Sequence, residues 1–261
     1  NEINRFDKSF EVVPSNWDVA LQNEDESTIG YGTYHLKIHL PENYTGDIGF
    51  YFYDVYTSAK IYVNNKLMGT KGFVSANSED YVGNIQPFSV TYRPNSNEVN
   101  LLIQVSNYEL PNYAGILKSV KFGSGQAIID FKNDFELIQI IMIILFYIHA
   151  LYGLILFAMG NWKKEIVYFV LIAFASVITI MFDDSLIGLY GYELSLESTI
   201  KLKNIGYSLI PIFVLMTMKH LFSRSFDSKG IKSLIFLNVL VIALTIIIPL
   251  NYTIYMLFVS N

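Results

Sequence analysis

His35 and His39 stand four residues apart in a stretch where apolar and polar side chains alternate, and such a pair raises the question of a metal site. On a strand, positions i and i+4 lie about 13 Å apart, too far for one ion to reach both imidazoles. The spacing therefore predicts two separate solvent-facing histidines. His149 is different, because it falls inside a long apolar run. An ionisable group at membrane depth is a functional candidate by default. Two readings stand for it: a neutral imidazole bonded to a neighbouring helix, which we favour, or a proton or ligand contact. Asp183 and Asp184 could act as paired acids, but they read as a solvated helix end.

Aromatic side chains carry the other chemistry. The chain has 19 Tyr and 19 Phe. An aromatic ring can cover the apolar face of a sugar, which makes a tyrosine-rich loop a candidate recognition platform. Asn107 and Tyr108, close to Asn112 and Tyr113 near a strand end, form the candidate ligand-binding group, with Asn107, Tyr108 and Tyr113 as its site residues. No Gly-rich phosphate loop, metal cluster or Ser/His/Asp arrangement stands out, so no cofactor, metal or catalytic residue is assigned. Cysteine is absent, which excludes disulfides and thiolate chemistry. The formal net charge is −5, and without a basic stripe to neutralise phosphates no nucleic-acid partner is expected.

Charge and hydropathy divide the chain. Positions 1–132 hold 15 acidic and 10 basic residues, and positions 133–261 hold 8 of each. The long uncharged runs lie in the second part. Residues 1–126 are read as one β domain, 127–136 as a linker, and 137–261 as transmembrane helices.

In the first part, Tyr34, Leu36, Ile38 and Leu40 alternate with polar residues, which predicts a strand with those four on one face. Residues 48–55 read as a second strand. Residues 60–68 read as a hairpin turning at Asn64-Asn65, since asparagine tolerates the positive φ of a two-residue turn. Residues 99–105 and 115–122 read as further strands. Short strands at this spacing predict a β-sandwich or jelly roll.

In the second part, residues 137–159 are uncharged for long enough to cross a hydrocarbon core of about 30 Å. Further helices are predicted at about 164–183, 202–221 and 233–249, with a fifth starting at 252–261. The connections at 160–164 and 219–232 are basic, and the one at 183–203 is acidic. The excess of lysine and arginine places the first and third connections in the cytoplasm and residues 1–126 outside. An export signal is expected to have been removed from the front, and the protein is expected to continue past 261 into an intracellular output module.

Several stretches together are similar to a known family. They are Gly30-Tyr31-Gly32-Thr33-Tyr34-His35-Leu36-Lys37-Ile38-His39-Leu40-Pro41, Ser58-Ala59-Lys60-Ile61-Tyr62-Val63-Asn64-Asn65-Lys66, Gln104-Val105-Ser106-Asn107-Tyr108, and Ala114-Gly115-Ile116 leading to Phe122-Gly123, with Trp17 upstream. In the apolar part, Tyr147-Ile148-His149-Ala150-Leu151-Tyr152 and Glu165-Ile166-Val167-Tyr168-Phe169 fit as well. The set resembles bacterial seven-transmembrane receptors with diverse intracellular signalling modules. Their outer domain is a jelly roll akin to the galactose-binding-like domain of family 2 glycoside hydrolases. Ala114 departs from the Gly-Gly pair usual there.

The resemblance implies a multi-pass sensor in the cell membrane. Its outer domain would bind a small ligand, carbohydrate or envelope-derived, and would control a histidine kinase, cyclase or phosphatase. Membrane lipid is a partner on this reading, and a second copy of the chain is another to test. The alternative is an adaptor whose jelly roll docks another envelope protein and transmits nothing. Catalysis within this chain is not expected, because no paired-carboxylate arrangement is seen. In a bacterial protein the glycosylation-like triplets at Asn43 and Asn251 read as chance.

Overall fold

The structure is a computed structural model, and it describes residues 12–17, 28–111, 113–183, 194–222 and 228–250. Asn112, Asp184, Asn251 and the expected fifth helix lie outside the described residues. The chain forms two compact units, Asn1–Ile128 and Ile129–Asn261.

The first unit is built of antiparallel strands. They are β1 (Gly30–His39), β2 (Ile48–Phe52), β3 (Val55–Tyr56), β4 (Ser58–Val63), β5 (Lys66–Lys71), β6 (Phe88–Tyr92), β7 (Glu98–Asn107), β8 (Gly115–Ile116) and β9 (Lys121–Ser124). The sheets have the orders β1-β7-β4-β5, β6-β2-β9 and β3-β8. β7 is the central strand. It pairs with β1 from Gly30↔Asn107 to His39↔Glu98, and with β4 from Ser58↔Ser106 to Val63↔Leu101. Its alternation sends Val99, Leu101, Ile103 and Val105 inward against Ile61, Val63, Phe50 and Phe52. Burying each such side chain contributes about 1.5–3 kcal/mol.

The hairpin turns where expected. Asn64 and Asn65 have φ of 48° and 64°, the left-handed pair that a two-residue turn requires. Asn64 also straps the turn to β7, its Oδ1 accepting from the backbone N–H of Asn100 at 2.7 Å.

Other segments depart from expectation. Residues 48–55 are two strands, because the chain leaves the β2 sheet at Tyr53-Asp54 and Val55 then pairs with Ile116. Residues 115–122 are likewise split into β8 and β9, which belong to different sheets. Leu36 is 55% exposed on the edge strand β1, whereas Tyr34 and Ile38 on the same face pack against the core. β6 adds a strand where none was read. The segment 127–136, read as a linker, is helical and forms the first turns of a helix that starts at Gly125. Ser124 Oγ accepts from Ala127 N–H at 3.3 Å as a cap, Ile128 is buried, and Lys132 pairs with Glu136 one turn on. The charges that suggested a linker decorate that helix.

The helices are α1 (Gly125–Ala158), α2 (Lys164–Asp183), α3 (Leu196–Leu221) and α4 (Ser228–Ile247). All four are long and apolar enough to cross a membrane. Ser195 caps α3 by accepting from Ser198 N–H at 3.2 Å. Small residues allow close helix approach. A Cβ on Gly206 would lie 2.5 Å from Thr179 Oγ1, and one on Gly153 would lie 2.5 Å from Val170 Cγ2.

Candidate functional site

The end of the first unit at which β7 finishes gathers the tyrosines. The alternation of β7 that buries Val99, Leu101, Ile103 and Val105 also turns the Asn107 side chain into the fold, and Ser106, fully buried as well, is the one position that breaks it. Its Nδ2 donates to the carbonyls of Thr28 (3.0 Å), Leu110 (2.7 Å) and Tyr113 (3.1 Å). Its Oδ1 accepts from the backbone N–H groups of Leu110 (3.0 Å) and Glu109 (3.3 Å) and from the Thr57 hydroxyl (3.3 Å). One carboxamide thus ties together the approach to β1, the entry to β4 and the loop after β7 at Glu109, Leu110 and Tyr113.

Asn107 was expected to touch a ligand. Both polar atoms of its side chain are engaged inside the protein, where they hold the loop. Tyr108 and Tyr113 sit on that loop, both half-buried. The Tyr108 hydroxyl donates to the Ala76 carbonyl at 2.6 Å, and its ring meets Tyr81 edge-on at 5.4 Å. Tyr81 is buried and hydrogen-bonded through its hydroxyl to Thr57 Oγ1. Tyr113 packs on Tyr56, ring centroids 5.8 Å apart. Burial raises the phenols of Tyr81, Tyr108 and Tyr113 above the usual tyrosine range, so all three remain neutral donors near neutral pH. Tyr31, 65% exposed on β1, stands opposite Ser106 in register at the same end. Phe73 and Val82, which pair with each other in the segment before β6, are also exposed. The sequence reading missed Tyr31, Tyr56 and Tyr81. The register of β1 on β7 brings Tyr31 there, and aromatic content alone could not.

The turn beside this rim is held by Trp17. Its indole N–H donates to Tyr34 Oη at 2.8 Å and its backbone N–H to Ala114 O at 3.3 Å. Gly115 follows with φ +92°, and a Cβ there would lie 2.5 Å from Tyr34 Oη. Ala114 is fully buried, with its N–H bonded to Asn16 Oδ1 at 2.9 Å. The departure from Gly-Gly is accommodated at Ala114, because the residue that needs left-handed φ is Gly115.

A second polar group lies under the rim. Lys71 ends β5 with its side chain turned inward, 4% exposed, and its amine donates to the Val55 carbonyl at 2.9 Å. Burial lowers this amine to about 7, against the opposing pull of Asp54. The Asp54 carboxylate is itself bound to Lys118 at 2.8 Å.

At the opposite end of β7, His35, Asn64, Asn65, Ser96, Glu98 and Asn100 line an open depression of about 450 Å³. Its groups largely satisfy one another. His35 Nε2 lies 3.2 Å from Asn100 Oδ1, Ser96 Oγ donates to Glu98 O, and Lys37 binds Glu98 at 2.8 Å and lowers its carboxyl. His39 stands opposite Glu98, apart from His35. Among the described residues no three His, Asp or Glu side chains cluster to hold a metal.

In the second unit His149 is exposed. Its Nδ1 lies 2.7 Å from the Leu145 carbonyl of its own helix, which corrects the expectation of a bond to a neighbouring one. The neighbouring helix supplies an aromatic contact instead, from Phe169. A carbonyl one turn back is the nearest acceptor for any side-chain donor on a helix.

No family model matches the chain, and no curated protein matches it. Solved structures do resemble part of it. A GH2 β-galacturonidase from Eisenbergiella tayi bound to galacturonate is 20% identical, with 42% of this chain and 19% of that chain covered and a TM-score of 0.32. A putative β-galactosidase from Bacteroides fragilis is 20% identical over 42% and 17% of the two chains, with a TM-score of 0.32. A glycosyl hydrolase family 2 member from Bacteroides cellulosilyticus is 17% identical over 43% and 16%, with a TM-score of 0.34. The chain spans less than a fifth of the length of each of these three.

Proposed function

We propose that this chain is the sensing part of a membrane receptor: a jelly-roll domain outside the cell binds a small ligand on its tyrosine rim, and the helices carry the response to a cytoplasmic module. The observation that carries this reading is the rim itself. Tyr31 is exposed and Tyr108 and Tyr113 are half-buried at the end of the β unit where β7 finishes, the last two on a loop held by Asn107. Rigid aromatic faces with fixed hydroxyls suit a ring-shaped polar ligand such as a sugar or an envelope-derived saccharide. Four helices fit for a bilayer, with basic connections at 160–164 and 219–232, support a multi-pass chain with its N-terminal unit outside. The resemblance to seven-helix receptors supports the same arrangement. Signalling then requires that the ligand favour one of two conformations.

The test is calorimetric titration of the full chain in detergent micelles with glucose, galactose, N-acetylglucosamine and muramyl dipeptide. At least one should bind saturably, and Tyr31→Ala should weaken it about tenfold with an unchanged melting temperature. If none binds, or if Tyr31→Ala and Tyr108→Ala both bind as the parent does, the rim is not the ligand site.

A further inference from the structure

We propose that the outer face of the four-stranded sheet binds an acidic oligosaccharide, with the Lys60 amine taking a carboxylate and Tyr31 a ring face. This rests on the rim reading above and adds to it the charge and the length of the ligand.

Register lays out the face. Val99, Leu101, Ile103 and Val105 point into the core, so the residues between them on β7 point out. Gln104 pairs with Thr33 of β1 on one side and with Lys60 of β4 on the other, and Lys60 pairs in turn with Thr70 of β5. Residues directly opposite one another share a face, so these four make one polar row across the sheet. In the next row Tyr31 pairs with Ser106, and Ser106 with Ser58. The segment after β5 covers the two serines, and the Ser75 N–H donates to Ser106 Oγ at 3.2 Å. The Tyr108 hydroxyl fixes the same segment at the Ala76 carbonyl. The polar row therefore runs beside a raised edge that has Tyr31 on β1 at one end and Phe73, 51% exposed, at the other.

Lys60 is held before any ligand arrives. Its amine donates to the Val74 carbonyl at 3.4 Å and lies 5.0 Å from the centroid of the Phe73 ring. The carbonyl takes one of the three donors of an ammonium, which leaves others for a carboxylate. A lysine restrained in this way has already lost part of the rotamer freedom that binding would otherwise cost.

Charge selects the class of ligand. Positions 1–132 carry more acid than base, yet this face does not. Its paired positions bring out Lys60, His35, Lys37 and His39 against Glu98 alone, and Glu98 is bound to Lys37 at 2.8 Å. The register neighbours of Lys60 are Gln104 and Thr70, so no carboxylate stands opposite it. An anion is favoured beside such a lysine. Gln104, Thr33 and Thr70 offer donors and acceptors for sugar hydroxyls, and the exposed Tyr31 ring can cover an apolar sugar face. Tyr31 and Lys60 are two strand spacings and one row apart, about 12 Å between Cα atoms. That is wider than a single sugar ring, which makes the fitting ligand an oligosaccharide.

The test is calorimetric titration of the full chain, in micelles of an uncharged polyoxyethylene detergent, with trigalacturonate and a hyaluronan tetrasaccharide, each beside its methyl ester. The ester keeps the rings and hydroxyls and removes the charge. At least one acid should bind about tenfold more tightly than its ester. Lys60→Met should bring that acid down to the affinity of the ester, and Lys60→Arg should keep the difference. Should Lys60→Met lower the melting temperature, Lys60→Gln takes its place with the same expected loss. Equal binding of acid and ester by the parent, or an unchanged difference without the Lys60 charge, would overturn the proposal. So would poly-glutamate binding as tightly as the acid, because the face would then read charge and no sugar. Neutral saccharides that bind while acids gain nothing would leave the rim reading standing alone, and binding of no saccharide at all would remove both.

Discussion

The side-chain amide of Asn107 donates to the backbone carbonyl of Tyr113 at 3.1 Å, across a loop that the same side chain also grips at Leu110 from both of its polar ends. Replacing Asn107 with Ala removes the donor to the buried Thr28 carbonyl and the acceptor of the Leu110 N–H, while the Leu110 carbonyl keeps the Tyr113 N–H and the Thr28 hydroxyl. Each such loss costs about 1–3 kcal/mol, and loop rearrangement recovers part of it. Asn107→Ala should lower stability by about 3 kcal/mol, measured by urea unfolding followed through Trp17. Asn107→Asp should be at least as damaging at neutral pH, because a carboxylate cannot donate to the three carbonyls. A loss under about 1 kcal/mol would mean the loop is held elsewhere.

Lys71 gives stability a pH dependence whose sign can be worked out. Its amine titrates near 7 in the folded chain and at about 10.4 when unfolded. Between those values the unfolded state binds the extra proton, so stability rises with pH at up to about 1.4 kcal/mol per unit. Below 7 both states are protonated, and this contribution is flat at its least favourable. Lys71→Met should remove that slope and stabilise the chain at pH 6 by about 1–4 kcal/mol, as replacing a buried charge with a matched apolar side chain does. Urea unfolding at pH 6, 7.5 and 9 separates the two profiles. Parallel profiles would exclude Lys71 as their source.

Legibility from sequence tracked how local each cause is. The four helices were readable because lipid imposes long uncharged runs. The Asn64-Asn65 hairpin and β7 were readable because turn chemistry and alternation act within a few residues. β6 carried the same signal in Phe88-Ser89-Val90-Thr91-Tyr92 and was passed over. Asn107 is legible as a neighbour of the tyrosines, but its burial and its grip on the loop are not, since they depend on the approach of Thr28 and Thr57, distant in sequence. Lys71 gave no signal at all. A lysine ending the strand Lys66-Leu67-Met68-Gly69-Thr70-Lys71 looks solvated, and only the packing of that strand's end beside β3 encloses it. The helical start at Gly125 was hidden by charges that suit a helix surface as well as a linker.

Gly206 sets the approach of α3 to α2. A Cβ there would meet Thr179 Oγ1 at 2.5 Å and the Thr179 backbone N at 3.2 Å. The hydroxyl can rotate, but it already bonds Ala175 O at 2.9 Å, and backbone cannot yield without parting the helices. Gly206→Val should lower the midpoint of thermal aggregation in micelles by several degrees, while Val214→Ala, partly exposed on the same helix, should change it little. Equal effects would place the close contact elsewhere.

Orientation can be read with single cysteines, because the chain has none of its own. Lys66, exposed just after the Asn64-Asn65 turn, reports on the β unit. Asn161, exposed between α1 and α2, reports on the basic connection beside Trp162, Lys163 and Lys164. The lysine excess there favours retention on the cytoplasmic side, and α1 is apolar enough to separate the two positions by a bilayer. In intact cells, Lys66→Cys should react with a membrane-impermeant maleimide, and Asn161→Cys should react only after permeabilisation. The opposite pattern would put the tyrosine rim in the cytoplasm, out of reach of any envelope ligand. Labelling of both without permeabilisation would mean that α1 does not cross, and the receptor proposal would lose its separation of input from output.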